Sequence, residues 1–81
     1  MNRPELFDRT VKIIRDCVPE LANAEITESS VVNTDMGMDS MSFILVICKL
    51  EAEFGVKIPN KQWRKLSTLG EVLDALQKYG A

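Results

Sequence analysis

The residue with the clearest chemical potential is Ser40, in the run Gly37-Met38-Asp39-Ser40-Met41. Asp39 after Gly37 predicts a helix start, because its carboxylate can accept the unpaired N–H groups of a first turn. A hydroxyl at that place is unhindered, and the helix dipole favours a negative substituent on it. The run therefore indicates a serine that could carry a phosphate ester, although an Asp-Ser pair alone is more often an ordinary helix start.

Other kinds of chemistry are excluded by the residue types. The chain has no histidine, so Ser-His-Asp and Cys-His nucleophile pairs and the usual His-containing zinc sites are ruled out. Cys17 and Cys48 stand 31 positions apart inside apolar helical patterns, which favours free thiols in a reducing compartment. The run Asp35–Asp39 lacks the alternating ligands and closing glutamate of a calcium loop. We expect no catalytic residue, no metal and no enzyme activity.

Length and charge limit the class of protein further. With 81 residues, 46% of them hydrophobic, the chain is long enough for one domain with one core, residues 1–81. A formal net charge of −2 argues against a dedicated nucleic-acid binder. The longest apolar run, Phe43–Cys48, is too short to span a membrane, and the N-terminus lacks a signal-peptide pattern. We expect a soluble, cytoplasmic monomer.

Helical periodicity predicts the elements that position Ser40. A first helix begins after Asn2 and ends at Pro19, with its apolar stripe on Phe7, Val11, Ile14 and Val18. A long loop over residues 20–38 follows, held to the core by Ile26, Val31 and Val32. Helix two runs from Asp39 to Gly55, a short helix capped by Asn60 covers Lys61–Leu66, and Thr68-x-x-Glu71 opens a last helix that Gly80 ends. The fold class is all-α, a small four-helix bundle.

Helix two has more apolar residues than one buried face needs. Its first stripe is Phe43, Ile47, Leu50 and Phe54; its second stripe is Met41, Ile44, Leu45 and Cys48. One stripe must face the core, and the other is either half-buried in a centrally packed helix or exposed as a docking surface.

The motif and its surroundings resemble the acyl carrier protein family. The resemblance rests on Gly37–Met41, on Leu50–Gly55 followed by Ile58-Pro59, and on the order of elements, and it covers residues 4–79. It implies that Ser40 receives 4′-phosphopantetheine from coenzyme A through a phosphopantetheinyl transferase. It also implies that Asp39 helps to orient the serine and the transferase's metal, and that Met41 replaces the commoner leucine beside the arm.

The chain departs from the family pattern where partner enzymes dock. Carriers of fatty-acid synthesis usually bear acids along helix two, whereas this chain has Ser42, Leu45 and Lys49 there, and its short third helix is basic. We therefore expect a specialised member that docks through the second stripe, Met41, Ile44, Leu45 and Cys48. The resemblance also suggests an acyl chain folded into the bundle. The side chains that could line it, or simply form solid core, are Phe43, Ile47, Ile58, Trp63, Leu66 and Leu73.

The predicted function is to hold acyl intermediates as thioesters and to present them to enzymes of fatty-acid, lipid or polyketide-type synthesis. The partners are the transferase and the acyl-loading and acyl-processing enzymes, without nucleic acid or membrane insertion. Two alternatives stay open. An aminoacyl carrier, D-alanyl or peptidyl, also suits Asp39-Ser40-Met41 and the missing acids. A helical protein-interaction module or a DNA-binding helix-turn-helix would not need Ser40.

Overall fold

The computed structural model describes residues 2–32, 37 and 39–80, with Ser40 described by its backbone. In this part of the chain, four α-helices pack together: α1 (Arg3–Cys17), α2 (Ser40–Phe54), α3 (Asn60–Trp63) and α4 (Leu69–Lys78). Residues 33–36 and Met38, which belong to the predicted loop and motif, lie outside the described residues. The all-α prediction is confirmed.

The first helix begins where its predicted cap, Asn2, places it. The side chain of Asn2 accepts the Glu5 N–H at 2.9 Å, which satisfies a first-turn donor. Val11 and Ile14 of the predicted stripe are buried, as expected. The buried face is rotated toward the flanking Leu6 and Thr10, which are fully enclosed, while Phe7 is half-buried. After α1 the chain makes a 3₁₀ turn, Pro19–Leu21, that periodicity did not indicate. It buries Leu21 against the core.

Helix α2 confirms both of its predicted ends. Asp39 is the N-cap, and Gly55 ends the helix in the left-handed conformation at φ 65°, which glycine adopts without steric cost. The first stripe faces the core, with Ile47 and Leu50 fully buried and its two phenylalanines half-buried. Val46, which belongs to neither predicted stripe, is buried too. The buried face is thus wider than a single row.

The predicted cap and length of the short helix are wrong. Pro59 occupies the N-cap position with extended backbone, φ −57° and ψ 140°, and Asn60 is already helical and makes no capping bond. The helix ends at Trp63, and a turn continues the chain to Leu66 through the Lys65 N–H···O=C Gln62 bond of 2.9 Å. The ψ of Pro59 places it outside the helix, and its carbonyl accepts the Gln62 N–H at 2.9 Å, so the helix begins one residue earlier than predicted.

The last helix fixes the loop between α1 and α2. Its predicted capping box is present, since Thr68 and Glu71 bond each other's backbone N–H groups. Next to it, the Val32 N–H donates to the Ser67 carbonyl at 2.8 Å, and the Gly70 N–H to that of Glu28 at 2.7 Å. Ile26 and Val32 are buried as expected and Val31 is half-buried. This part of the loop therefore packs alongside the start of α4.

A cluster around Arg3 closes the same side of the bundle. Its guanidinium donates to Glu28 at 2.7 Å, to Asp74 at 2.8 Å and to Gln77 at 2.8 Å. It also reaches the Gly70 carbonyl at 3.1 Å. One side chain therefore joins α1, the loop and α4.

Across residues 2–32, 37 and 39–80, no helix combines the length and the apolar character that crossing a membrane requires.

Candidate functional site

The site begins at the cap of α2. Asp39 has extended backbone, φ −82° and ψ −179°, and its Oδ1 accepts the Ser42 N–H at 2.8 Å. Its carbonyl accepts the Phe43 N–H at 2.9 Å. The cap makes Ser40 the first residue of α2, with its backbone at the positive end of the helix dipole. The predicted helix start and the predicted cap are confirmed.

The charge of Asp39 is fixed by the same contact. Hydrogen bonding from Ser42, first from its backbone N–H and then from its side chain, holds the pKa of Asp39 below its usual value. Bonds of this kind favour the ionised form of a carboxyl group. At neutral pH the residue before Ser40 is therefore an exposed carboxylate, which suits the role that the resemblance implies for it toward a metal held by another protein.

Residues beside Ser40 leave the start of α2 open. Gly37, Asp39 and Met41 are all exposed, and Met41 keeps 79% of its surface. A phosphodiester at the head of α2 would meet first-turn N–H groups and the helix dipole. The neighbours that are described thus fit a covalent phosphopantetheine, because none of them fills the space around this end of the helix.

The second stripe is exposed. Leu45 keeps 49% of its surface and Ile44 43%, and Cys48 is exposed as well. Among the described residues, Met41, Ile44 and Leu45 are the large hydrophobic side chains with high exposure. Both cysteines are free thiols, as predicted. The half-buried alternative for this stripe is wrong, and the row of apolar side chains runs directly on from Ser40.

The six residues expected to line an acyl chain belong to one cluster. Ile47, Ile58 and Leu73 are fully buried in the core, and Phe43, Trp63 and Leu66 are half-buried against it. The indole Nε1 of Trp63 donates to the Ile58 carbonyl at 3.0 Å, which fixes the ring against the chain that enters α3. All six residues belong to the hydrophobic core or pack against it, and their role as a lining stays a prediction.

Two groups of contacts between separate elements had no signal in the sequence. The carboxylate of Glu51, near the end of α2, accepts the Ile58 N–H at 2.7 Å, and the Ile58 carbonyl then receives Trp63. This chain of bonds ties α3 to α2. The Arg3 cluster is the other, since its partners lie 25 and 71 residues away. In the described ranges, no three His, Cys, Asp or Glu side chains are grouped to hold a metal.

Comparison with known proteins identifies the family. Residues 12–76 match the family model described as "Phosphopantetheine attachment site". The acyl carrier protein of Thermosynechococcus vestitus is 34% identical over 74 residues, which covers 91% of this chain and 90% of that protein. The chain belongs to the acyl carrier protein family. This acyl carrier is also similar to the acyl carrier protein of Thermotoga maritima, at 29% identity over 77 residues, 95% of this chain and 94% of that protein.

A third relative is an acyl carrier protein with a name of its own, AcpXL. The acyl carrier protein AcpXL of Rhizobium etli is 35% identical over 66 residues, 82% of this chain and 71% of that protein. Membership confirms the resemblance drawn from Gly37–Met41, and with it the covalent 4′-phosphopantetheine cofactor. Proteins of this family carry intermediates and are not catalysts, so this acyl carrier is not an enzyme.

Proposed function

We propose that this acyl carrier holds acyl intermediates on a 4′-phosphopantetheine arm attached to Ser40. It presents them to partner enzymes of fatty-acid, lipid or polyketide-type synthesis. When bound, the arm supplies a terminal thiol that holds the acyl group as a thioester. The observation that carries the proposal is the Asp39–Ser42 bond of 2.8 Å, because it makes Ser40 the first residue of α2, between exposed neighbours.

The protein's own part is positional. Ser40 heads a 15-residue helix with both ends capped, so the attachment point is part of a helix that packs in the bundle. A tethered intermediate meets each active site at a raised effective concentration without diffusing away. The absence of histidine fits this division of labour, since partner enzymes do the chemistry.

Docking is assigned to the second stripe. Met41, Ile44, Leu45 and Cys48 form an exposed apolar row that starts beside Ser40. Burial of such side chains contributes about 25 cal/mol per Å² of apolar surface, before the cost of association. Lys49 follows this row and no acid lies between Asp39 and Glu51. The phosphopantetheinyl transferase and the acyl-loading and acyl-processing enzymes would therefore meet an apolar surface, which suits a specialised carrier with its own partners.

Attachment is tested by intact mass. The purified chain is incubated with coenzyme A and a broad-specificity phosphopantetheinyl transferase, and one arm's mass is expected on the wild type and none on Ser40→Ala. Ser42→Ala is the matched control, because the Ser42 backbone N–H still donates to the cap residue Asp39 when the hydroxyl is removed. Absence of the mass gain from wild type, or its presence on Ser40→Ala, would reject the proposal.

An aminoacyl carrier is the second candidate. The exposed second stripe without acids supports it as well as it supports a specialised acyl carrier. The two functions differ in the enzyme that loads the arm. If an adenylating enzyme supplied with amino acids loads the modified chain, while acyl-loading enzymes do not, the cargo is aminoacyl.

Sequestration of the acyl chain is proposed for the cluster of Phe43, Ile47, Ile58, Trp63, Leu66 and Leu73. Trp63 is half-buried against the hydrophobic core, so an acyl chain that entered the core beside it would change the surroundings of its indole. We expect its fluorescence to shift when the arm carries a medium-length acyl chain and not when it carries acetyl. Equal spectra for the two loads would contradict sequestration.

A further inference from the structure

The strongest feature outside the site is a group of positive side chains around α3. We call Lys57, Lys61, Arg64 and Lys65 the cationic segment. All four are exposed, and residues 54–70 contain no acid. Within the described residues, the ion pairs are made by Arg3 and Arg9, not by these four. A local charge of +4 therefore faces solvent in a protein with a net charge of −2.

The backbone around α3 holds part of this charge on one side. Arg64 continues the right-handed helical conformation after Trp63, so Lys61, Arg64 and Lys65 follow one another at helical spacing. Trp63 and Leu66 pack toward the core between them. The indole bond to Ile58 fixes the orientation of this turn. Lys61, Arg64 and Lys65 are thus presented together, and Lys57 precedes them in the chain.

Nearby acids are engaged elsewhere. Glu71 and Asp74 line an open groove together with Lys65. The carboxylate of Glu71 accepts the Thr68 and Ser67 N–H groups at 3.0 and 3.1 Å, and Asp74 pairs with Arg3 at 2.8 Å. These bonds belong to the cap of α4 and to the cluster at Arg3. In the described part of the chain, neither carboxylate forms an ion pair with the cationic segment.

We propose that the cationic segment docks a carboxylate-rich face of a partner protein that loads or processes the arm. The identity of that partner rests on the proposed function. Complementary charge would guide the encounter and fix the orientation, while the second stripe supplies the apolar contact. The bonds through Glu51 and Ile58 connect α2, which carries the second stripe, to the turn that carries part of the cationic segment.

A protein partner fits better than an anionic membrane or a nucleic acid. The remainder of the chain is acidic, with a charge of −5 over residues 1–53, and an extended anionic surface would repel it. The aromatic ring in the segment, Trp63, is half-buried and hydrogen-bonded, so it is not available for insertion among lipids or for stacking on bases. A local patch of carboxylates meets the four cations without facing the acidic remainder.

The test compares two double variants with equal net charge. Lys61→Glu/Arg64→Glu removes the centre of the segment, and Lys12→Glu/Lys49→Glu changes two exposed lysines outside it. Each lowers the formal charge from −2 to −6. The full chain labelled with ¹⁵N is titrated with a blocked oligoglutamate peptide at low and at physiological salt. Separate arms use vesicles of phosphatidylglycerol and phosphatidylcholine and a single-stranded oligodeoxynucleotide of the same charge as the peptide.

The proposal expects peptide-induced shifts centred on residues 57–65, weakened by salt. It expects about tenfold weaker binding in Lys61→Glu/Arg64→Glu and a clearly smaller loss in Lys12→Glu/Lys49→Glu. No binding of the peptide, equal losses in the two variants, or tighter binding of the vesicles or the oligonucleotide would overturn it. Both variants are also treated with coenzyme A and the transferase. If both gain the mass of the arm, a failure to bind the peptide rejects the docking proposal without touching the carrier function.

Discussion

Replacement of Thr10 by valine should make the protein more stable. Thr10 is fully buried on the inner face of α1, and its Oγ1 has no hydrogen-bond partner. A buried hydroxyl without a partner costs about 1–3 kcal/mol of desolvation. Valine has nearly the same shape and a similar helix propensity, and puts a methyl group in place of the hydroxyl. The native structure therefore keeps a polar atom where an apolar one fits.

The expected gain follows from these terms. Part of the desolvation cost disappears and a buried methyl group adds about 0.8 kcal/mol, so we expect the free energy of unfolding to rise by about 1–2 kcal/mol for Thr10→Val. In a domain of this size each kcal/mol raises the midpoint of thermal unfolding by roughly 4–8 °C. Urea and thermal unfolding, followed by circular dichroism, measure both quantities.

Two further variants separate the effect of the Thr10 hydroxyl on stability from the effect of side-chain volume. Thr10→Ser keeps the hydroxyl and loses a methyl group, and Thr10→Ala loses both, so each should be less stable than Thr10→Val because a cavity forms. A Thr10→Val protein that unfolds more easily than the wild type would show that the hydroxyl is satisfied in solution. The reasoning from its burial without a partner would then be refuted.

Three other perturbations follow from contacts at the loop, at α4 and at α2. Gly70→Ala should destabilise the fold despite the better helix propensity of alanine, because a Cβ would lie 3.1 Å from the Glu28 carbonyl oxygen, and urea midpoints against the wild type check this. The hydrogen bond from Arg3 lowers the pKa of Glu28; its stabilisation is complete above the ordinary carboxyl pKa and is lost as pH falls through the lowered value. In Glu28→Gln the free energy of unfolding should therefore fall less steeply at acid pH than in the wild type, and an equally steep fall would contradict the pairing. Leu45→Ser should raise the KM of the transferase for the carrier and Ala52→Ser, also exposed on α2, should not; equal KM values would remove the second stripe as a docking surface.

Helix ends were predictable because their causes are local. Asn2, Asp39 and the Thr68–Glu71 pair each bond N–H groups three residues away, and such bonds depend on nearby sequence alone. The cap of the short helix was predicted wrongly at Asn60, because the local sequence offers two candidates for it. Asn and Pro both suit the start of a helix, and in the structure Pro59 is the N-cap while Asn60 is the first helical residue.

The contacts that join distant segments had no such signal. Arg3 bonds Glu28 and Asp74, which lie 25 and 71 residues away along the chain. The sequence has 12 acidic residues, and nothing in it indicates which of them pair with this arginine. Exposure of the second stripe likewise depends on which stripe the other helices cover. Ser40 was marked by its helix start, but only the resemblance of the whole pattern around it indicated a prosthetic arm.

The central claim is that one serine, at the head of α2, holds the arm. Tandem mass spectrometry of a digest, after treatment with coenzyme A and the transferase, reads the modified residue directly. The account predicts phosphopantetheine on Ser40 alone, with Ser29, Ser30, Ser42 and Ser67 unmodified. An arm found on any of those four residues, or a fully unmodified Ser40, would contradict it.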